Sequence, residues 1–371
     1  TNSGLPGRAY NHNFQIQEFR RPEFEVKAQN ETEAPYLVGT SANVSVTASY
    51  YAGGGLANAD VNWTVRAQPT NYTPPNRGDF IFGKWIPWWY FGDRNDYGNS
   101  TVQTFKGITD ASGKHVLKID FDSAKPSRPY AVTASGAVQD VNRQTWSAST
   151  NLLVHPSELY IGVRSPRTFV QKGEKIFIES IVTDIEGRLI AGRDAEIKAV
   201  LKDWVFEKGL WVEKTIDEQV CGFKSAAEVS RCEFVAKQGG RYLITAVVMD
   251  DRERFNETEL TVWVPGGKTP PNRSIEQEKV ELIPSKKDFA PGETAEILVI
   301  SPFPDAEGVL TLRRDGIVKT ERFSIKENSV TLKIPLEEKY LPNIYAQIDL
   351  VGAAVRTNDK GEMDEKLARR P

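Results

Sequence analysis

The residues able to do chemistry are few and scattered. Three histidines stand at positions 12, 115 and 155, and the cysteines are Cys221 and Cys232 alone. A histidine works as a base or metal ligand when a carboxylate or a second ligand orients it. His12, His115 and His155 have no such companion at an ordered spacing, so they read as solvated surface side chains. Asp250, Asp251 and Glu253 crowd three carboxylates together. They lack the alternating spacing of an EF-hand loop and read as a charged hairpin turn. No carboxylate pair is placed for glycosidase-type chemistry. Nucleophile-elbow, P-loop and dinucleotide patterns are missing as well. Gly53-Gly54-Gly55 follows a strand-like run and precedes a short apolar bridge, so it is a turn and not a phosphate cradle. The expectation is no catalytic, cofactor or metal site, and no enzyme.

The cysteines leave two readings open. Ten residues separate Cys221 from Cys232, which suits a hairpin or loop closed by one disulfide; two free thiols are the alternative. A lone local pair without histidine neighbours fits no zinc spacing. A disulfide would imply an oxidising compartment.

A third feature is aromatic. Phe80-Ile-Phe-Gly-Lys-Trp-Ile-Pro-Trp-Trp-Tyr-Phe91 lies in an insertion of about residues 67–104. Trp85, Trp88, Trp89, Tyr90 and Phe91 form a possible interaction patch for a sugar ring or a partner domain. The competing reading is a plug that packs the insertion onto its own or a neighbouring domain. Density favours the plug, because a wholly exposed cluster of this kind would aggregate.

These residues must be positioned by strands. Period-two stretches bounded by Gly, Asn and Pro run throughout, whereas helical composition is confined to the tail after Gly361. Tyr36-Leu-Val-Gly39, Phe169-Val-Gln-Lys-Gly173 and Phe289-Ala-Pro-Gly292 each open a strand, at domain-sized intervals. The chain has 371 residues, 39% of them hydrophobic and 10% aromatic, enough for several real cores. The expectation is all-β: three consecutive antiparallel sandwiches at 14–155, 156–265 and 276–371. The Pro/Gly-rich run after Pro265 links the second to the third, and the third reads as one strand short with a flexible polar tail. A net charge of −3 without long single-sign runs argues against nucleic acid as a partner. No apolar run approaches the roughly 20 residues of a bilayer span, so no direct membrane insertion is expected. The start, Thr-Asn-Ser-Gly, is no signal peptide and suits an excised segment. Sequons such as Asn30-Glu-Thr and Asn256-Glu-Thr fit exposed strands and loops.

Phe14-Gln-Ile-Gln-Glu-Phe-Arg-Arg-Pro-Glu-Phe-Glu-Val26 resembles the opening of a macroglobulin domain in the alpha-2-macroglobulin family. Val141 to Thr150 followed by Leu159-Tyr-Ile-Gly-Val-Arg164 is similar to its bacterial branch. So are Glu281 to Ala295 and Pro342-Asn-Ile-Tyr-Ala-Gln347. The resemblance covers nearly all of 14–352. It implies seven-stranded sandwiches of fibronectin type III-like shape, part of a secreted, extracellular or periplasmic, endopeptidase inhibitor. Such proteins entrap target proteases when a bait segment is cut and the packed macroglobulin domains rearrange. The family's Cys-Gly-Glu-Gln thioester is not matched: Glu218-Gln-Val-Cys-Gly-Phe-Lys224 has the wrong order, so no thioester residue carries over. The edge of a bait region is expected near the C-terminus. The alternative function is an extracellular Ig-like binding or adhesion module that uses the aromatic insertion.

Overall fold

The computed structural model describes residues 23–89, 100–122, 127–207, 210–267, 279–354, 356–357 and 363–364. The opening motif before Glu23, the linker at 268–278 and most of the tail lie outside these residues. So do His12, Tyr90 and Phe91.

Three β-sandwiches follow one another. The first holds β1 (Phe24–Asn30), β2 (Tyr36–Leu37), β3 (Ser41–Tyr50), β4 (Asp60–Pro69), β5 (Thr101–Ile108), β6 (Lys114–Asp120), β7 (Tyr130–Gln139) and β8 (Thr145–His155). One sheet has the order β1-β3-β6, the other β2-β8-β7-β4-β5. The second holds β9 (Leu159–Arg164), β10 (Lys175–Asp184), β11 (Asp194–Glu207), β12 (Leu210–Lys224), β13 (Ser230–Val235), β14 (Gly240–Met249) and β15 (Phe255–Val264). Its sheets run β13-β10-β9 and β12-β11-β14-β15. The third repeats the plan with β16 (Glu281–Pro284), β17 (Thr294–Ile300), β18 (Ala306–Arg313), β19 (Ile317–Ile325), β20 (Ser329–Pro335) and β21 (Tyr345–Gly352). Here the orders are β16-β17-β20 and β19-β18-β21. A hairpin of β22 (Arg356–Thr357) and β23 (Met363–Asp364) follows. Among the described residues the only helical element is a 3-10 turn at Glu338–Tyr340.

Alternation of side chains builds the cores. On β14, Tyr242, Ile244, Ala246 and Val248 point inward and are buried, while the residues between them are more exposed. Ile161 on β9, Ile176 and Ile178 on β10, and Ile197 and Leu201 on β11 close on them from both sheets. Trp63 fills the first core against Val46 and Val138, its indole N–H donating to His115 Nδ1 at 3.1 Å.

The repeated glycines do the same job three times. Gly39, Gly173 and Gly292 all have φ between +82° and +88°, a region costly for residues with a Cβ. Each donates its N–H to the carbonyl just past the fifth long strand: Phe121 at 2.7 Å, Ala236 at 2.7 Å and Leu336 at 2.8 Å. The residue after each glycine accepts the return bond, so this turn pins the edge of each three-stranded sheet.

Aspartates set four hairpin turns in the same way. Oδ1 of Asp110, Asp140, Asp184 and Asp250 accepts the N–H of the residue four positions on. The residue three positions on is left-handed each time: Gly113, Arg143, Gly187 and Glu253.

Cys221 on β12 and Cys232 on β13 form a disulfide. Because β12 and β13 are edge strands of opposite sheets, the bond closes one open side of the second sandwich.

Candidate functional site: the joints between sandwiches

Ser157 and its two neighbours are all that separate β8 from β9, and Asp250 holds them. Asp250 Oδ2 accepts from Ser157 Oγ at 3.1 Å, Glu158 N at 3.0 Å and Arg254 Nε at 2.8 Å. Burial alone would raise its pKa, but the backbone N–H groups of Glu158, Arg254 and Arg252, with the Arg254 guanidinium, hold it below the ordinary value. The acidic turn expected from the sequence therefore also anchors the linker.

His155, read from the sequence as a surface histidine, is only 5% exposed. It ends β8 against the second sandwich, its Nδ1 2.6 Å from the Tyr160 hydroxyl. Tyr72 of the insertion packs edge-on against it, centroids 4.9 Å apart. Burial lowers the His155 pKa to about 4 and pushes the Tyr160 hydroxyl well above its usual value. His115 is likewise held by Trp63 and not simply solvated.

The insertion between β4 and β5 crosses to the second sandwich. Asn71 acts as a clip: its Nδ2 donates to Lys84 O at 2.9 Å and its Oδ1 accepts Lys84 N–H at 3.1 Å. The clipped segment then runs as an irregular strand. Ile81 pairs with Val163 of β9, with bonds of 2.8 and 3.0 Å. Glu259 of β15 donates its N–H to Gly83 O at 2.8 Å and accepts from Trp85 N at 3.0 Å. Gly83 N–H reaches Thr258 Oγ1, which itself donates to Ile161 O. The insertion thus seals the seam between the two sheets of the neighbouring domain. Asn256 belongs to this seam and is buried, its Oδ1 accepting Ile161 N–H at 2.9 Å. That corrects the expectation that its sequon is exposed.

Phe80 and Phe82 pack on Tyr160 and Ile181, and the Arg164 guanidinium lies 4.4 Å from the Phe80 ring centre. Trp85 and Trp89 flank Trp263, at 5.9 and 5.7 Å between ring centres. Both tryptophans pack against a cluster of Phe169, Trp263, Ile283 and Leu298, which spans the second and third sandwiches. Trp88 is 41% exposed and meets Trp89 edge-on.

Polar contacts reinforce both joints. Arg128, on the loop before β7, pairs with Glu259 at 2.5 Å. Arg167 pairs with Glu296, Thr168 donates its hydroxyl to Pro284 O, and Thr168 N–H reaches Ser285 O at 3.0 Å. Nothing in the sequence marks Arg128, Arg167, Asn71 or Thr258, since ion pairs and seams between domains leave no local pattern. Among the described residues no group of three His, Cys, Asp or Glu side chains could hold a metal ion. What this arrangement can do is hold or release domains relative to one another.

The sequence model of the alpha-2-macroglobulin bait region domain matches residues 280–363. An alpha-2-macroglobulin homolog from Nostoc sp. is 22% identical over 374 residues, covering 97% of this chain. Both of these matches are to alpha-2-macroglobulin sequences. The chain spans 19% of the length of the Nostoc relative. Circularly permutated Ras protein 2 of Dictyostelium discoideum is 29% identical over 162 residues, 41% of this chain and 4% of that protein. Among solved structures, the native conformation of E. coli alpha-2-macroglobulin aligns with 14% identity and a TM-score of 0.45, over 92% of this chain and 22% of that one. The bait-region match begins just before β16 and covers the whole third sandwich. The sequence expectation had placed only the edge of a bait region, near the tail. Cys221, spent in the disulfide, is no thioester cysteine.

Proposed function

We propose that this chain is scaffold from a bacterial-type alpha-2-macroglobulin, a broad-range protease inhibitor that entraps its target when a bait segment is cut. The single observation that carries this reading is the bait-region match at 280–363, on a sandwich keyed to its neighbour. The Arg167–Glu296 pair and the Thr168 contacts at that boundary, with the insertion's tryptophans, are where cleavage could be felt as a change of domain position. The chain contributes no side-chain catalysis in this reading. It works through target proteases and neighbouring macroglobulin domains, the aromatic insertion being an interdomain clamp. The proposed domain limits are 14–155, 156–265 and 276–371. The Cys221–Cys232 disulfide supports a secreted or cell-envelope location, because such bonds persist in oxidising compartments.

The test adds a protease to the full-length polypeptide. Cleavage should compact the molecule and shield the protease from large inhibitors while small substrates still enter. Unchanged shape with a fully accessible protease would sink the reading.

A further inference from the structure

In each sandwich one sheet ends on a strand paired from a single side among the described residues. These strands are β5 beside β4, β12 beside β11 and β19 beside β18. Open edges are kept from pairing with other chains by charges, bulges or prolines. β12 carries Glu213, Lys214, Asp217, Glu218 and Lys224, and β19 carries Lys319, Glu321 and Arg322. A register shift also interrupts the pairing of each with its neighbour. β5 has none of these guards. Its sequence, Thr-Val-Gln-Thr-Phe-Lys-Gly-Ile, holds one charge, Lys106, and it pairs with β4 without a shift from Thr101 to Ile108. Val102 is 56% exposed, Phe105 38% and Ile108 61%.

The unguarded edge complements itself. Its partners on β4 set the two rows of side chains. Gln103, Phe105 and Gly107 stand opposite Val65, Trp63 and Val61, in the inward row. Val102, Thr104, Lys106 and Ile108 stand opposite Arg66, Thr64, Asn62 and Asp60, in the outward row. Now set β5 antiparallel to its own copy, with the two-fold axis at Phe105. Phe105 meets Phe105, Val102 meets Ile108, Thr104 meets Lys106, and Gln103 meets Gly107, which leaves it room. Every large apolar residue of the strand then faces another, and Trp63 and Phe105 of both copies line up as one aromatic row. The charges agree as well. Lys106 faces a threonine, and the outward row runs Arg66, Val102, Ile108, Asp60 across the junction, opposite in sign at its ends. A slip of one residue sets inward rows against outward ones. A slip of two sets Val102 against Lys106 in one direction and Lys106 against Lys106 in the other.

We infer that β5 is a self-association edge: it pairs antiparallel with β5 of a second copy of this chain, in the register centred on Phe105. Two five-stranded sheets thereby join edge to edge about a two-fold axis. Any extended strand could satisfy the open N–H and C=O groups. The match of the apolar, glycine and charged positions of the strand to their own reverse is what selects a second copy, since a two-fold interface requires one patch to complement itself. A single strand edge is smaller than a standard interface, so the dimer is weak and reversible. The inference rests on β5 and its neighbour β4, and stands apart from protease entrapment.

Sedimentation equilibrium from about 1 to 300 μM tests it, on the 371-residue chain and on the full-length polypeptide, with two substitutions at exposed Thr104. Both proteins should pass reversibly from monomer to dimer. Thr104→Lys sets a lysine opposite Lys106 of the second copy, twice per dimer, and should weaken the association at least 10-fold. Thr104→Glu sets a carboxylate there instead and should tighten it at least 3-fold, more at low salt than at high. Both variants should keep the melting temperature of the unaltered monomer at low concentration, which separates lost pairing from lost folding. Monomer throughout the range would overturn the inference. A dimer indifferent to both substitutions would overturn it by placing the contact elsewhere. So would a full-length polypeptide that stays monomeric while the chain dimerises, because its own domains would then occupy the edge.

Discussion

Arg128 donates from Nη2 to Glu259 Oε2 at 2.5 Å, although the two residues belong to different sandwiches, and its side chain is only 6% exposed. Glu257 lies close by. Its pKa is raised, first by burial and then by the charge of Glu259. Replacing Arg128 by Met leaves two carboxylates without their cation and should cost about 3 kcal/mol in chemical denaturation. Adding Glu259→Gln should recover part of that loss, since the pair acts as a unit.

Glu257 gives a prediction of opposite sign. Its folded pKa lies above the ordinary 4.5, so its contribution is present below that value and lost as pH rises through the raised one. Glu257→Gln should therefore raise the melting temperature at pH 7 and leave it unchanged near pH 4. A variant that is neutral or destabilised at pH 7 contradicts the assignment.

His155 titrates in the other direction. With a folded pKa of about 4 against an ordinary 6.5, its stabilisation is full above pH 6.5 and is lost as pH falls through 4. The loss should reach about 3 kcal/mol. NMR titration of the imidazole reads the pKa directly. His155→Gln should flatten the stability profile between pH 6.5 and 4; an unchanged slope would mean other groups produce it.

Reducing the Cys221–Cys232 bond, or replacing both residues by Ser, frees a short loop and should cost about 2–3 kcal/mol. The damage should concentrate where the bond closes the sandwich, speeding exchange on β12 and β13 but not on β7 or β8. Uniform loss across all three sandwiches would show a different role.

Trp85→Ala should act on geometry more than on melting. Trp85 touches the Trp263–Phe169–Ile283–Leu298 cluster without belonging to any one sandwich core alone. Small-angle scattering should show a broader spread of orientations between the second and third sandwiches, with each sandwich's own exchange protection kept. A scattering curve identical to that of the unaltered chain would remove the insertion's clamping role.

The parts legible in the sequence are those fixed by local stereochemistry. Gly39, Gly173 and Gly292 announce themselves because a left-handed residue is needed at one point of each sandwich. The Asp250 turn reads as a turn because its carboxylate caps its own backbone. A solitary cysteine pair without histidines leaves few alternatives to a disulfide. The joints were not legible, because burial of His155 or pairing of Arg128 depends on a domain more than a hundred residues away in sequence or on the way two sandwiches meet. The aromatic run at 80–91 gave the one available signal: it is too dense to be solvent-facing, yet it has no strand alternation, so its cover had to come from elsewhere.

The insertion's course also changes how the molecule would transmit a pull. Along the chain the sandwiches are in series, and tension on the third would reach the first only through the second. The segment from Asn71 to Trp89 is rooted in the first, stitched to β9 and β15 of the second, and pressed against Ile283 and Leu298 of the third. It acts as a stay running alongside the mast. Torque applied at one end is shared between two paths, so the row resists twisting at its joints until Trp85 and Trp89 are drawn from their seat.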